Sequence, residues 1–210
     1  MTIAVDAPTF RFDAPSHTYW LGDTRLDHVT GVLKGLGFVY DSGGCAGDPN
    51  CNLISCPLCR GRMVHQACHY LALGKLNWKT LDDRLFPYVK GFDRFLSENA
   101  VKVLGSEVRA YHPVHLFAGT LDLHLKWGGW EYIPDIKSGA GAEWSRYQTG
   151  GYSELPLPNP TGKPRRRGAI ILPGCADYKW VPHDDTQDGA VFLNMLTTYR
   201  VLLRHGIIKR

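Results

Sequence analysis

The sequence predicts an α/β fold, and three observations predict it. Residues 119–137, GTLDLHLKWGGWEYIPDIK, alternate around a Gly pair, the usual punctuation between two strands of a hairpin. Apolar residues recur at helical spacing on either side of that hairpin, over 62–73, 87–99, 142–152 and 188–205. From the second of these helices the order is helix, three strands, helix, strand pair, helix, with no internal repeat.

Residues 9–30 read as short strands, FRFD and HTYWLGDTRLDHVT, with a reversal at Gly22-Asp23 and no evident chemistry. Thr30 is placed to cap a short helix over 31–36 that stops at Gly35 or Gly37. Residues 42–61 break the pattern, with Cys45-x5-Cys51-x4-Cys56-x2-Cys59 set among Gly, Pro, Asn and Ser. Four thiolates suit a tetrahedral zinc, and Cys56-Pro-x-Cys59 is a knuckle that would aim two sulfurs at one ion. An iron–sulfur cluster and thiols that are unliganded or partly paired are the other readings of the same residues. With four thiolate ligands no coordination position stays open, so a zinc here would be structural, clamping a small Cys-rich insertion.

In the helix over 62–73, His65 and His69 are four apart and share a face, although a lone helical His is ordinarily a satisfied side chain. The next helix, 87–99, takes Pro87 in its first turn and shows Val89, Phe92, Phe95 and Leu96 as an apolar stripe. A strand over 102–111 follows and carries Glu107.

The hairpin can be paired by counting. With Trp127 opposite Trp130, Leu125 faces Tyr132, His124 faces Ile133 and Asp122 faces Asp135, which sets two carboxylates side by side. The pleat puts Leu121, Leu123, Leu125, Tyr132 and Ile136 on a core face and Asp122, His124, Lys126, Glu131, Asp135 and Lys137 on the other. Like charges opposite each other destabilise a sheet unless a cation lies between them, and a divalent ion is the simplest such cation. Pro134 lacks an N–H, so a four-residue loop from Trp127 to Trp130, which keeps the pairings and moves Pro134 to a non-bonded position, is the preferred register. An edge hairpin with a solvated charged face is the alternative.

Beyond it, the helix over 142–152 carries Gln148 and Tyr152 on one face, and the Pro- and Gly-rich loop 155–167 contains the basic run Lys163-Pro-Arg165-Arg166-Arg167. Such a run is either a solvated loop or a polyanion contact. Strands over 168–172 and 178–181 and the helix over 188–205 complete the chain.

At 210 residues the chain has the length of one domain, or of one domain plus an insertion. A net charge of +4 does not by itself demand a nucleic-acid partner. No apolar run is long enough to span a bilayer, and the N-terminus has neither a basic start nor an apolar h-region, so a soluble, cytoplasmic protein is expected. Crowding four of the six cysteines between 45 and 59 suits a metal in a reducing compartment better than a disulfide framework.

Five of these segments, in this order, resemble the PD-(D/E)XK nuclease superfamily, in its RecB-like and phage exonuclease branch. They are VHQACH with His65, SEVRAYHP with Glu107, GTLD ending in Asp122, DIK with Asp135 and Lys137, and the Gln148-x3-Tyr152 helix. Together they span about residues 61–152, and VTGVLK and AVFLNMLTTYR are also similar to such phage proteins. The resemblance implies a restriction-endonuclease-like core, a central mixed sheet flanked by helices with the site at one end of the hairpin. It implies a metal-dependent DNA exonuclease of phage or prophage recombination, repair or replication. A structure-specific endonuclease and a non-catalytic, zinc-containing nucleic-acid-binding module are the alternatives.

By position, Asp122 and Asp135 would hold magnesium or manganese, with the Ile136 carbonyl and His65 as further ligands and Glu107 assisting. Lys137 would orient or activate water. Gln148 and Tyr152 would hold the substrate backbone; separately, the charge of the basic run offers Arg165, Arg166 and Arg167 as phosphate contacts. The partner implied is DNA with a free end or single-stranded, alongside a recombination or replication protein; the oligomeric state stays open. One departure stands out: the clustered cysteines all precede His65, whereas iron–sulfur nucleases of this kind generally draw three from after the core, which favours an independent zinc clamp.

Overall fold

The computed structural model describes residues 8–38, 55–159 and 162–210. In chain order the elements are β1 (Phe10–Asp13), β2 (Thr18–Leu21), β3 (Thr24–His28), α1 (Val29–Gly35), α2 (Pro57–Ala72) and α3 (Phe86–Glu98). These are followed by β4 (Lys102–His112), β5 (Phe117–Trp127), β6 (Trp130–Lys137), α4 (Ser145–Ser153), β7 (Arg166–Ile171), β8 (Lys179–Pro182) and α5 (Asp188–Arg204). The strands form one mixed sheet in the order β1-β2-β3-β5-β6-β7-β8, with β4 paired to β5. β3 runs parallel to β5 and β6 parallel to β7; the other pairs are antiparallel.

Strand β5 organises this sheet. One of its edges is taken by β4 along nearly its whole length. The other edge is shared, with β3 pairing at Phe117 and Ala118 and β6 pairing only from Leu125 to Trp127. Residues 119–124 therefore lie in a fork between β3 and β6, and Asp122 is inside it.

The fork has a local cause. Gly128 and Gly129 both adopt positive φ, 55° and 79°, which is the two-residue type I′ turn that matches strand twist. The four-residue loop expected from the sequence is not formed. In the two-residue register Pro134 falls at a hydrogen-bonding position without an N–H to offer, and the β5–β6 ladder ends at Leu125–Tyr132, before reaching it. The pairings expected for His124 with Ile133 and Asp122 with Asp135 are absent. β6 instead pairs with β7 from Tyr132 to Lys137.

Both faces of the sheet are covered. Val64, Val89, Phe92 and Phe95 from α2 and α3 pack on Leu123, Leu125 and Ile136, while Val32, Phe192 and Leu196 from α1 and α5 pack on Phe117, Leu121 and Ile133. Along β5 the core residues thus pass from one hydrophobic cluster to the other at Asp122, between Leu121 and Leu123. The charged face expected for the hairpin is not solvated: His124, Glu131 and Asp135 are all buried.

Two glycines in α4 explain how α5 reaches the sheet. A Cβ at Gly150 would stand 2.6 Å from the Asp188 carbonyl oxygen, and one at Gly151 2.9 Å from the Phe192 ring. Only hydrogen at these positions lets the two helices touch. Helix α1 is capped by His28, whose Nδ1 accepts from the Gly31 N–H at 3.2 Å, rather than by Thr30 as expected. Helix α2 begins at Pro57, so Cys59 lies in its first turn and Cys56 at its N-cap rather than in a free-standing knuckle. Among the described residues, no helix is long and apolar enough to cross a membrane.

Candidate active site

Asp122 is held in the fork from two sides. Its Oδ2 accepts the Ile136 backbone N–H at 2.8 Å, a donor that the splayed ladder leaves available. Its Oδ1 lies 3.3 Å from His65 Nδ1, delivered by the third turn of α2. Burial alone would lower the His65 pKa, but the Asp122 carboxylate outweighs it and raises the imidazole to about 9. Asp122 in turn is depressed, because the attraction of His65 and the Ile136 hydrogen bond exceed the cost of its burial.

Glu107 reaches the same place through an unusual backbone. Its φ is +54°, the left-handed region that few non-Gly residues adopt, while its neighbours Ser106 and Val108 keep their pairing with Leu123 and Leu121. A left-handed residue inside a ladder re-aims its own side chain without breaking the strand. His65, Glu107 and Asp122 each offer a ligand atom, and these atoms lie within 4.8 Å of one another. Burial, with Asp122 next, raises the Glu107 pKa.

Asp135 and Lys137 lie on β6, with Asp135 almost fully buried and Lys137 Nζ 2.7 Å from its Oδ2. Asp135 Oδ1 is buried and, among the described residues, accepts no hydrogen bond. Burial raises the Asp135 pKa, and Lys137 offsets this only in part. Lys137 Nζ donates to Gln148 Oε1 at 3.0 Å, and Gln148 Nε2 donates to the Tyr152 hydroxyl at 3.2 Å. Gln148 and Tyr152 thus brace Lys137 in this structure, one turn apart on the buried face of α4. Gly119 is explained by the same contact, since a Cβ there would stand 2.8 Å from Tyr152 Cε1.

These side chains surround a cleft of about 680 Å³, lined by His65, Glu107, Asp122, Gln148 and Tyr152. Sequence reasoning missed its other walls. Phe12, His17, Tyr19 and His28, from a segment read as carrying no chemistry, line it too, as does Arg109. The Tyr19 hydroxyl is 2.7 Å from Thr120 Oγ1, a contact across 101 residues of chain that no local pattern announces. His69 contributes indirectly. Its Nδ1 is 2.9 Å from Ser106 Oγ, which donates to the Asp122 carbonyl at 3.1 Å, so Nδ1 carries the proton.

The basic run is placed away from these residues. Arg167 is buried with its Nη1 3.0 Å from Asp188 Oδ2, and Arg165 Nε lies 3.5 Å from the buried Glu131 Oε2. Arg166 stays exposed, 4.2 Å over the Trp130 ring. Two of the three guanidinium groups expected to meet phosphates therefore face inward onto carboxylates. Cys56 and Cys59 are buried at the start of α2. Cys45 and Cys51, and most of the stretch expected as a Cys-rich insertion, lie outside the described residues.

A divalent cation fits this arrangement. His65, Glu107 and Asp122 offer ligand atoms within 4.8 Å of one another; Asp135 stands outside that group but within electrostatic reach of Asp122 and His65, and among the described residues its buried Oδ1 meets no hydrogen-bond donor. Hard oxygen donors of this kind are those that magnesium and manganese take, and imidazole widens the range toward the later metals.

The chain matches no known protein family, and no curated protein is similar to it in sequence. Among solved structures, the crystal structure of LHK-Exo in complex with dAMP aligns with 87% of this chain and 89% of that chain, at 14% identity and a TM-score of 0.38. A likeness this distant decides nothing about the site, whose chemistry is set by its own side chains.

Proposed function

We propose that the protein is a metal-dependent deoxyribonuclease that hydrolyses phosphodiester bonds, acting as an exonuclease. The observation that carries this reading is the convergence of the buried Asp135–Lys137 pair with the His65, Glu107 and Asp122 donors at one fork in the sheet. The Glu107 and Asp122 carboxylates, this close together, would repel a phosphate that arrived without a divalent cation, which argues against a site for anion binding alone.

Asp122, Asp135, Glu107 and His65, with the Ile136 carbonyl, would hold magnesium or manganese. When bound, the ion would supply a Lewis acid for the phosphate and lower the pKa of a coordinated water. Lys137 would stabilise negative charge on the phosphate and orient the attacking water, and a compact ammonium suits a position beside water. Gln148 fixes the Lys137 ammonium, and Tyr152 fixes Gln148. The Ile136 N–H keeps Asp122 turned into the fork. The motifs shared with the PD-(D/E)XK nucleases support DNA as the substrate and a free end as the starting point. Cys56 and Cys59, one helical turn apart, are the described half of a proposed structural zinc site with Cys45 and Cys51.

Cleavage of end-labelled linear DNA and of closed circular single strands, in magnesium, manganese or EDTA, tests the proposal. Metal-dependent loss of the linear substrate alone, abolished in Asp135→Ala, is the expected result. Cutting of the circle would replace the exonuclease with an endonuclease, and a fully active Asp135→Ala protein would remove the site from the reaction.

A further inference from the structure

The cleft has a second wall that the metal chemistry does not use. His17, in the turn from β1 to β2, is its hub: its ring lies 5.2 Å from Phe12, 5.7 Å from Tyr19 and 5.4 Å from His28, each at a steep angle. The His17 backbone is left-handed, with φ at +49°, yet the side chain is exposed. The turn thus presents the imidazole at the cleft rather than packing it into a core. The Arg109 guanidinium lies 4.4 Å over the Phe12 ring, is exposed to the cleft, and forms no ion pair among the described residues.

The electrostatics of this wall point to one kind of ligand. Partial desolvation by the rings around it, then Arg109, lowers the pKa of His17 although its side chain reaches solvent, and burial, then His17 and Arg25, brings His28 to about 4. At neutral pH the imidazoles are uncharged planes, and Arg109 is the guanidinium stacked on Phe12 beside them. A ligand that complements flat π faces next to one guanidinium is itself flat and carries an anion, as a nucleotide does. The wall is also tied to the metal-binding strand, because Tyr19 bonds to Thr120, two residues before Asp122.

We propose that Phe12, His17 and Arg109 form a subsite for the nucleotide adjacent to the scissile phosphate, its base stacking on the imidazole and guanidinium planes and its phosphate paired with Arg109. The proposal rests on the nuclease reading and adds to it the recognition of an unpaired base. Stacking of this kind tolerates any base, so the subsite selects for single-stranded ends rather than for sequence.

The test measures binding of a short single strand carrying 2-aminopurine at its terminal position, using Asp135→Asn protein to suppress cleavage. Into that protein His17→Asn, which keeps a residue tolerant of the left-handed backbone, and Arg109→Gln are introduced singly. Each is expected to weaken binding about 5- to 50-fold, with the 2-aminopurine quench lost in His17→Asn and the salt slope reduced by about one in Arg109→Gln. Unchanged melting temperatures would show that the fold is intact. Affinity and quench within twofold of the parent in both variants would overturn the subsite, while wild-type cleavage of linear DNA would leave the nuclease reading standing. A wild-type protein that neither binds nor cleaves any strand would overturn both.

Discussion

The Ile136 backbone N–H donates to Asp122 Oδ2 at 2.8 Å, so a carboxylate occupies the place where a neighbouring strand's carbonyl would ordinarily sit. The two residues belong to adjacent strands whose ladder has already ended at Leu125–Tyr132. The failure of the ladder at Pro134 and the placement of Asp122 are therefore one event. Asp122→Ala should leave the Ile136 N–H without this acceptor and His65 without its counter-charge, costing about 1–3 kcal/mol of stability besides activity. Asp122→Asn keeps an acceptor and should recover most of the stability with none of the cleavage. Denaturant titration beside the cleavage assay separates these effects, and equal stability losses in the two variants would contradict the account.

The Tyr152 ring rests where a Gly119 side chain would be. Gly119→Ala should displace Tyr152, loosen Gln148 and with it Lys137, and cost about 1–3 kcal/mol through overpacking. If steady-state cleavage falls more than tenfold while the melting temperature drops only a few degrees, the loss comes through Lys137 positioning. Wild-type kinetics would refute the contact.

The chain His69 Nδ1–H to Ser106 Oγ–H to the Asp122 carbonyl sits next to the left-handed Glu107. Ser106→Ala removes both bonds and should destabilise by about 1–2 kcal/mol, with a further loss of metal affinity if the chain holds Glu107 in place. Isothermal titration with manganese reads that second effect directly. Unaltered manganese affinity would confine Ser106 to a structural role.

Asp188 is buried between Arg146 Nε at 2.8 Å and Arg167 Nη1 at 3.0 Å, joining α4, β7 and α5. Asp188→Ala leaves two cations without their shared carboxylate and should cost about 3–5 kcal/mol, the penalty for breaking a buried pair. A denaturation midpoint close to wild type would show that water reaches the cluster.

Stability should also fall in mild acid. His28 accepts the Gly31 N–H through Nδ1, which requires that nitrogen to be unprotonated, and burial, then His17 and Arg25, brings its pKa to about 4. His183 is likewise brought to about 4, by burial and then Arg167. Unfolded histidine titrates near 6.5, so between roughly 6.5 and 4 the unfolded chain binds more protons and stability rises with pH. The contribution is complete above about 6.5 and is lost as pH falls towards 4. Denaturant midpoints at several pH values should show this slope, and His28→Asn, which keeps a capping acceptor without a titration in this range, should flatten it. An unchanged slope in that variant would assign the effect elsewhere.

Much of this architecture is legible in the sequence alone. Helical periods, the Gly128-Gly129 turn and the spacing of Gln148 and Tyr152 are local properties, because an element's repeat and its stop signals lie within a few residues of one another. They placed α3, β4 and α5 within about a residue at each end, and set the first three pairs of the hairpin. What only the tertiary structure decided is where β5 stops sharing its edge with one neighbour and starts with the next. That choice depends on competition among β3, β6 and β7 for the same hydrogen-bonding groups, and it created the fork, buried Asp135 and opened the place for Asp122. The same holds for residues whose partners are remote in the chain: the Tyr19–Thr120 bond that builds the cleft's second wall, and the inward turn of Arg165 and Arg167 onto Glu131 and Asp188. Charge and ring contacts act through space, and folding brings together residues that sequence spacing keeps apart.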